Sequence, residues 1–116
     1  MLRWLLVLVA CAACKKEQAA QPPPDDRPPP IPATEIKRGE DACQAYVAKV
    51  CACTAPDAPR QCGLARALPD AIATALEVAR NTESTRRDVV QSNDVIRKTM
   101  KECIEQLAKL PALGCS

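Results

Sequence analysis

The stretch Cys43-Gln44-Ala45-Tyr46-Val47-Ala48-Lys49-Val50-Cys51-Ala52-Cys53 decides the fold class of this chain. Its cysteines and apolar side chains recur every three or four residues, which is the spacing of one face of an α-helix. The pattern predicts a first helix over Gly39 to Cys53. This helix cannot continue much further, because Pro56 and Pro59 lie too close together for a helix interior.

A second helix is predicted to begin at Leu68-Pro69-Asp70, since proline is tolerated in a first turn and the helix dipole favours an acidic residue there. No Gly or Pro lies between Pro69 and Pro111. One helix over that span would be about 60 Å long, which is too long for so small a domain. The short polar side chains of Gln91 to Asp94 make that segment the predicted break, and Asn81 to Ser84 is the second choice.

The third predicted helix carries the apolar residues Ile96 and Met100 and is stopped by Pro111 and Gly114. The predicted fold class is therefore all-α, a small three-helix bundle. Phe is absent and Tyr46 is the one aromatic residue of the domain, so the core is thin. At roughly 25 cal/mol per Å², burial of small aliphatic side chains barely offsets chain entropy in a domain this small, and covalent support is expected.

Disulfides are the expected support, because the chain of 116 residues has eight cysteines. In an up-down-up bundle with 1.5 Å of rise per residue, Cys43 and Cys103 lie at similar heights, while Cys115 lies near the end where the first helix stops. Six domain cysteines allow fifteen pairings. The predicted pairs are Cys43 with Cys103, one of Cys51 and Cys53 with Cys115, and the other of these two with Cys62.

The N-terminus has the composition of a short export signal. A positive start at Arg3 is followed by an apolar run, Trp4 to Ala10, that is too short to span a bilayer. The run ends in Leu8-Val9-Ala10-Cys11, which resembles the bacterial lipobox, in which a cysteine is acylated and becomes the new N-terminus. Cys11 is the predicted lipidation site, with a signal over 1–10. Cys14 is the alternative, with a signal over 1–13, and an ordinary secretory signal without lipid is a further one.

A proline-rich stretch, Gln21 to Pro32, follows the signal. Proline fixes φ and donates no backbone hydrogen bond, so we predict an extended, disordered tether, while a recognition site for a proline-binding domain is the alternative. The predicted linker covers residues 11–38 and the disulfide-stapled domain residues 39–116. No Asp follows either candidate lipidated cysteine, which favours the outer membrane over the inner membrane of a bacterial cell envelope.

The chemistry of the chain argues against catalysis. It has no His, and its three glycines are too far apart to form a phosphate-binding loop. A formal net charge of +2 does not favour nucleic acid as a partner. We therefore predict a non-enzymatic envelope lipoprotein with a structural or protein-binding role, no cofactor and no small-molecule substrate. Its expected partners are the membrane, through the N-terminal lipid, and another envelope protein.

A periplasmic Cu- or Zn-binding protein is the competing hypothesis. Thiolates at close spacing bind both metals. Its ligands would be Cys51, Cys53, Cys62 and Cys115.

The domain also resembles small, uncharacterised, cysteine-bearing helical lipoproteins of myxobacteria. The resemblance covers about Asp41 to Ser116, and the extra pair Cys51 and Cys62 departs from the pattern. It implies no activity, because none is assigned to that family. The matching residues are Cys43, Tyr46, Cys53, Leu68-Pro69, Cys103 and Gly114-Cys115.

Overall fold

A computed structural model describes residues 25–115 of the chain. In this part of the chain three α-helices follow one another, α1 (Ala33–Ala52), α2 (Ala58–Arg80) and α3 (Arg86–Lys109), and a short 3₁₀ helix, Leu110–Leu113, comes last. Each α-helix packs against both of the others, and the described residues contain no β-strand. The predicted three-helix bundle is confirmed. None of these helices combines the length and the apolar composition that a membrane span needs.

Short connections make consecutive helices antiparallel. Residues 53–57 join α1 to α2, and residues 81–85 join α2 to α3. α1 and α3 are therefore parallel, as predicted, and the bundle has two ends. The disulfide end holds residues 51–62 and 110–115. The turn end holds the α2–α3 connection and the start of α1.

α1 begins at Ala33, and the predicted start at Gly39 is wrong. Pro32, with φ −54° and ψ 138°, occupies the N-cap position. Its carbonyl accepts hydrogen bonds from the backbone N–H groups of Glu35 and Ile36 at 3.0 and 3.1 Å. The carboxylate of Glu35 also lies in the first turn, where the helix dipole stabilises negative charge. The proline that ends the proline-rich stretch therefore starts the helix.

Gly39 lies inside α1, where α1 and α3 approach each other closely. A Cβ atom at this position would lie 2.7 Å from the Cβ of Met100 and closer still to its Cγ and Sδ. Such contacts do not occur between real side chains, so only glycine fits here without a shift of Met100 or of the helices. The missing side chain of Gly39 makes room for Met100, which is 4% exposed in the core.

α2 begins at Ala58, well before the predicted start at Leu68. Pro59 lies in its first turn, where a missing backbone N–H costs nothing. Pro69 lies inside α2, where it cannot donate to the carbonyl of Ala65. The helix extends through Pro69 because its added first turns contribute buried side chains, including those of Ala58 and Ala65.

The break between α2 and α3 lies at residues 81–85. The predicted break at Gln91–Asp94 is wrong, and the second choice is correct. Ser92 and Asn93 are buried within α3, so their short polar side chains belong to a helix interior. Residues 81–85 are a better break because they supply hydrogen bonds to both helix ends.

A capping box starts α3. The hydroxyl of Thr85 accepts from the backbone N–H of Asp88 at 3.2 Å, and the carboxylate of Asp88 accepts from the backbone N–H of Thr85 at 2.9 Å. The bond from the backbone N–H of Thr85 is the largest cause of a lowered pKa of the Asp88 carboxylate, and hydrogen bonding to the Thr85 side chain lowers this pKa further. At the end of α2, the Ser84 hydroxyl donates to the carbonyl of Val78 at 2.6 Å. Both ends of the break are therefore satisfied locally.

The core consists of two buried clusters that Leu68 joins by packing against both. Tyr46 belongs to the cluster of the disulfide end, and burial raises the pKa of its phenol, with a smaller contribution from Glu102. The cluster toward the turn end contains Ile31, Ile36, Cys43, Ile72, Ala75, Leu76, Ile96, Met100 and Cys103. The cluster toward the disulfide end contains Tyr46, Val50, Ala58, Ala65, Leu110 and Cys115.

The predicted boundary between linker and domain also moves. Ile31 and Ile36 belong to the core, and α1 already covers residues 33–38. The prediction of a linker over 11–38 and a domain over 39–116 is therefore wrong in its boundary. The folded unit includes at least residues 31–38. Residues 11–24 lie outside the described part of the chain.

Candidate functional site

One disulfide lies in the middle of the bundle. Cys43 of α1 and Cys103 of α3 form a bridge with their Cα atoms 4.8 Å apart, and both residues are fully buried. The bridge holds the two parallel helices together at the height that the rise per residue predicts. It lies in the core cluster of the turn end, so it supports the aliphatic packing around it.

Two further disulfides close the disulfide end. Cys51, in the last turn of α1, pairs with Cys62 of α2 at a Cα separation of 4.7 Å. Cys53, just beyond α1, pairs with Cys115 at 5.3 Å. The choice that the sequence left open between Cys51 and Cys53 depends on where α1 ends. Cys51 is still helical and meets α2, while Cys53 has extended backbone, φ −73° and ψ 140°, and meets the end of the chain.

A glycine turn brings Cys115 back to this bridge. Gly114 has φ 82° and ψ 16°, a left-handed conformation that favours glycine. The backbone N–H of Cys115 donates to the carbonyl of Leu110 at 2.9 Å, and that of Gly114 to the carbonyl of Pro111 at 3.2 Å. These bonds close the last turn, so Cys115 is buried beside Cys53.

The four cysteines of the alternative metal site do come together, but as two disulfides. A sulfur atom in a disulfide carries no thiolate charge, so Cu(I) or Zn binding would require both bridges to be reduced. Across residues 25–115, no group of three or more His, Cys, Asp or Glu side chains is arranged to hold a metal ion. In the folded protein, these four cysteines therefore stabilise the disulfide end by covalent bonds.

The turn end carries a feature that sequence reasoning missed. Residues 25–32, which we call the strap, lie against the bundle without forming helix or strand. The guanidinium of Arg27 forms two hydrogen bonds of 2.8 Å with the carboxylate of Asp25, and these lower the pKa of Asp25 to about 2. Arg27 also donates to the carbonyls of Asn81 and Thr82 at 3.4 Å. A cation at this helix end is favoured by the dipole of α2.

A cleft of about 550 Å³ lies between the strap and the three helices. Side chains of Ile36, Leu76, Val89 and Ile96 contribute apolar lining, and Asn93 contributes a polar group. Ile31 of the strap lines the same cleft and is 6% exposed. The strap therefore covers an apolar part of the bundle rather than leading away from it.

Two signals in the sequence could have indicated the strap. Ile31 is the one large apolar residue among residues 21–32, and Arg27 is the one cation there. A spacer that only adds length has no need of either side chain. The two predicted lipidation sites, Cys11 and Cys14, lie outside the described residues, and their assignment stays a prediction.

Comparison with protein-family models, curated proteins and solved structures found no match to this chain.

Proposed function

We propose that this chain is a lipid-anchored protein of the bacterial cell envelope whose disulfide-bonded helical module has a structural or protein-binding role. One observation carries the proposal. The module pairs six of the eight cysteines among themselves, and the two that remain, Cys11 and Cys14, follow an apolar run of lipobox type. Disulfides then account for one group of cysteines and lipidation for the other.

The disulfides support an exported protein. Bridges of this kind persist in oxidising compartments such as the periplasm and are rare in the cytosol. A core of small aliphatic residues with one aromatic side chain also needs them. Both candidate lipidated cysteines precede the proline-rich stretch, so the part of that stretch before the strap would connect the lipid to the module.

A non-catalytic role is supported by the titratable groups. The chain has no His, and several carboxylates of the module are engaged in exposed ion pairs, such as Asp41 with Lys37 and Asp94 with Lys98. Exposed ion pairs of this kind, four residues apart, stabilise the helix that carries them. A module whose described residues present helix faces of this kind is suited to contact with another protein.

Metabolic labelling with palmitate tests the anchor. Labelling should persist in at least one of the single variants Cys11→Ala and Cys14→Ala and should be lost in the double variant. Lys16→Ala, which leaves both cysteines in place, is the matched control. A wild-type protein that takes up no label and is recovered entirely in the soluble periplasmic fraction would contradict the proposal.

A further inference from the structure

The strap is held by two side chains. Ile31 is buried in the core cluster of the turn end, and Arg27 reaches the carbonyls that follow α2. Between them, Pro29 and Pro30 are exposed. The strap therefore has one apolar and one polar attachment, while Pro28 and Pro30 between them line the cleft.

No disulfide holds the strap to the bundle. The three bridges close the loops 43–103, 51–62 and 53–115, and all of them lie C-terminal to the strap. The strap can therefore detach without breaking a covalent bond, while the bundle behind it stays constrained. Segments with few buried contacts open at lower free energy than a core does.

The prolines of the strap make both states well defined. Residues 25–32 include Pro28, Pro29, Pro30 and Pro32, whose φ angles are fixed in any state. Little backbone freedom is lost when the strap docks, and the strap remains extended when it leaves. A released strap of this composition is a polyproline II segment with about 3.1 Å of rise per residue.

We propose that the strap is a latch with a docked and a released state that sets the length of the tether. A role for the tether length depends on the proposed lipid anchor. Docked, the strap carries the chain to Asp25 beside the α2–α3 connection and keeps the turn end toward the anchor. Released, residues 25–32 add about 25 Å to the tether.

Release also uncovers part of the core. Ile36, Leu76, Val89 and Ile96 line the cleft that the strap covers. Release of the strap therefore lengthens the tether and exposes this apolar face at the same time. The module then presents a new surface only in its extended state, at a greater distance from the anchor.

Methyl relaxation-dispersion NMR tests the latch on the full chain with its disulfides intact and its isoleucine methyl groups labelled. Ile31 should exchange between two environments while Ile72, which is 1% exposed in the core, stays in one. Arg27→Ala should raise the released population about fivefold. It removes the two long hydrogen bonds to the carbonyls of Asn81 and Thr82, and a loss of about 1 kcal/mol changes a population ratio by about that factor. Asp26→Ala, a neighbouring exposed residue, is the control and should leave the population unchanged.

Two results would overturn the latch. One is exchange of Ile31 with the same rate and population as Ile72, since the strap would then open only with the whole bundle. The other is an unchanged population in Arg27→Ala. In Ile31→Ser, the spectrum of Ile72 should persist while Arg27 loses its hydrogen bonds to the carbonyls of Asn81 and Thr82. Loss of the Ile72 signal would also count against the latch. Palmitate labelling reports the anchor separately, so the two proposals fail independently.

Discussion

The two glycines inside helices provide a matched test of the packing between α1 and α3. Both Gly39 and Gly63 lie in helix interiors, but a Cβ at Gly63 would have no atom within 4 Å. At Gly39 it would lie 2.7 Å from the Cβ of Met100. The same substitution to alanine should therefore have opposite effects at the two positions.

The expected changes in the free energy of unfolding follow from two effects. Replacing glycine by alanine in a helix interior stabilises by about 0.5 to 1 kcal/mol. Gly63→Ala should gain this amount in full. At Gly39, overpacking of a close-packed core costs about 1 to 3 kcal/mol. After the helix gain is subtracted, the net loss of Gly39→Ala should be up to about 2.5 kcal/mol, with a central value of about 1 kcal/mol. In a domain of this size, each 1 kcal/mol lost lowers the melting temperature by about 4 to 8 °C.

Urea unfolding followed by circular dichroism, without reductant, measures both variants. A second comparison isolates the contact. In a Met100→Ala background the Cγ and Sδ atoms are gone, so Gly39→Ala should cost less than it does in the wild type. If Gly39→Ala stabilises the module as much as Gly63→Ala does, the close approach of α1 to α3 at Met100 is wrong.

Three further predictions concern the caps and bridges. Thr85→Ala should lower the free energy of unfolding in urea by about 1 kcal/mol because it removes the N-cap of α3, while Thr85→Ser should keep most of it; equal losses in both would refute the capping box. Removing the Cys43–Cys103 bridge by double alanine substitution should cost more than removing Cys51–Cys62, because Cys43 and Cys103 are fully buried in the core and Cys51 and Cys62 are half-buried. The loop-entropy difference is small, since Cys53–Cys115 already cross-links the chain around Cys43–Cys103; the reverse order in urea unfolding would contradict this. The pKa of Asp88 is lowered from its ordinary value of 3.8, so its stabilisation is complete above that pH and is lost as the pH falls through the lower, folded value. Melting temperature against pH should therefore fall less steeply on the acid side in Asp88→Asn, and identical acid limbs would show that the folded pKa is not lowered.

Helical periodicity predicted the number of helices, and the rise per residue placed Cys43 beside Cys103. The helix boundaries were harder, because Gly39, Pro59 and Pro69 each have more than one possible role. Gly39 resembled a helix start, yet its role is to admit Met100 from another helix. Pro69 resembled a first-turn residue, although Pro59 takes that position. These roles depend on tertiary contacts that no single segment contains.

The candidate sites likewise include features that the sequence predicted and features that depend on tertiary contacts. The cysteine pairs were limited to two arrangements by height alone, and the remaining choice depended on whether α1 ends before Cys51 or after it. The strap was missed because proline content indicates an extended backbone and says nothing about what that backbone lies against. Only the folded structure shows that Arg27 meets the carbonyls of Asn81 and Thr82, just beyond α2, and that Ile31 has a place in the core.

Non-reduced peptide mapping by mass spectrometry, on protein purified from its native envelope, tests the central claim most directly. It measures lipidation and cysteine pairing in one sample. We predict an acylated N-terminal cysteine at Cys11 or Cys14 and no free thiol among the six cysteines of the module. The expected bridges are Cys43–Cys103, Cys51–Cys62 and Cys53–Cys115. An unmodified N-terminus, or free thiols at the disulfide end together with bound metal, would contradict the account.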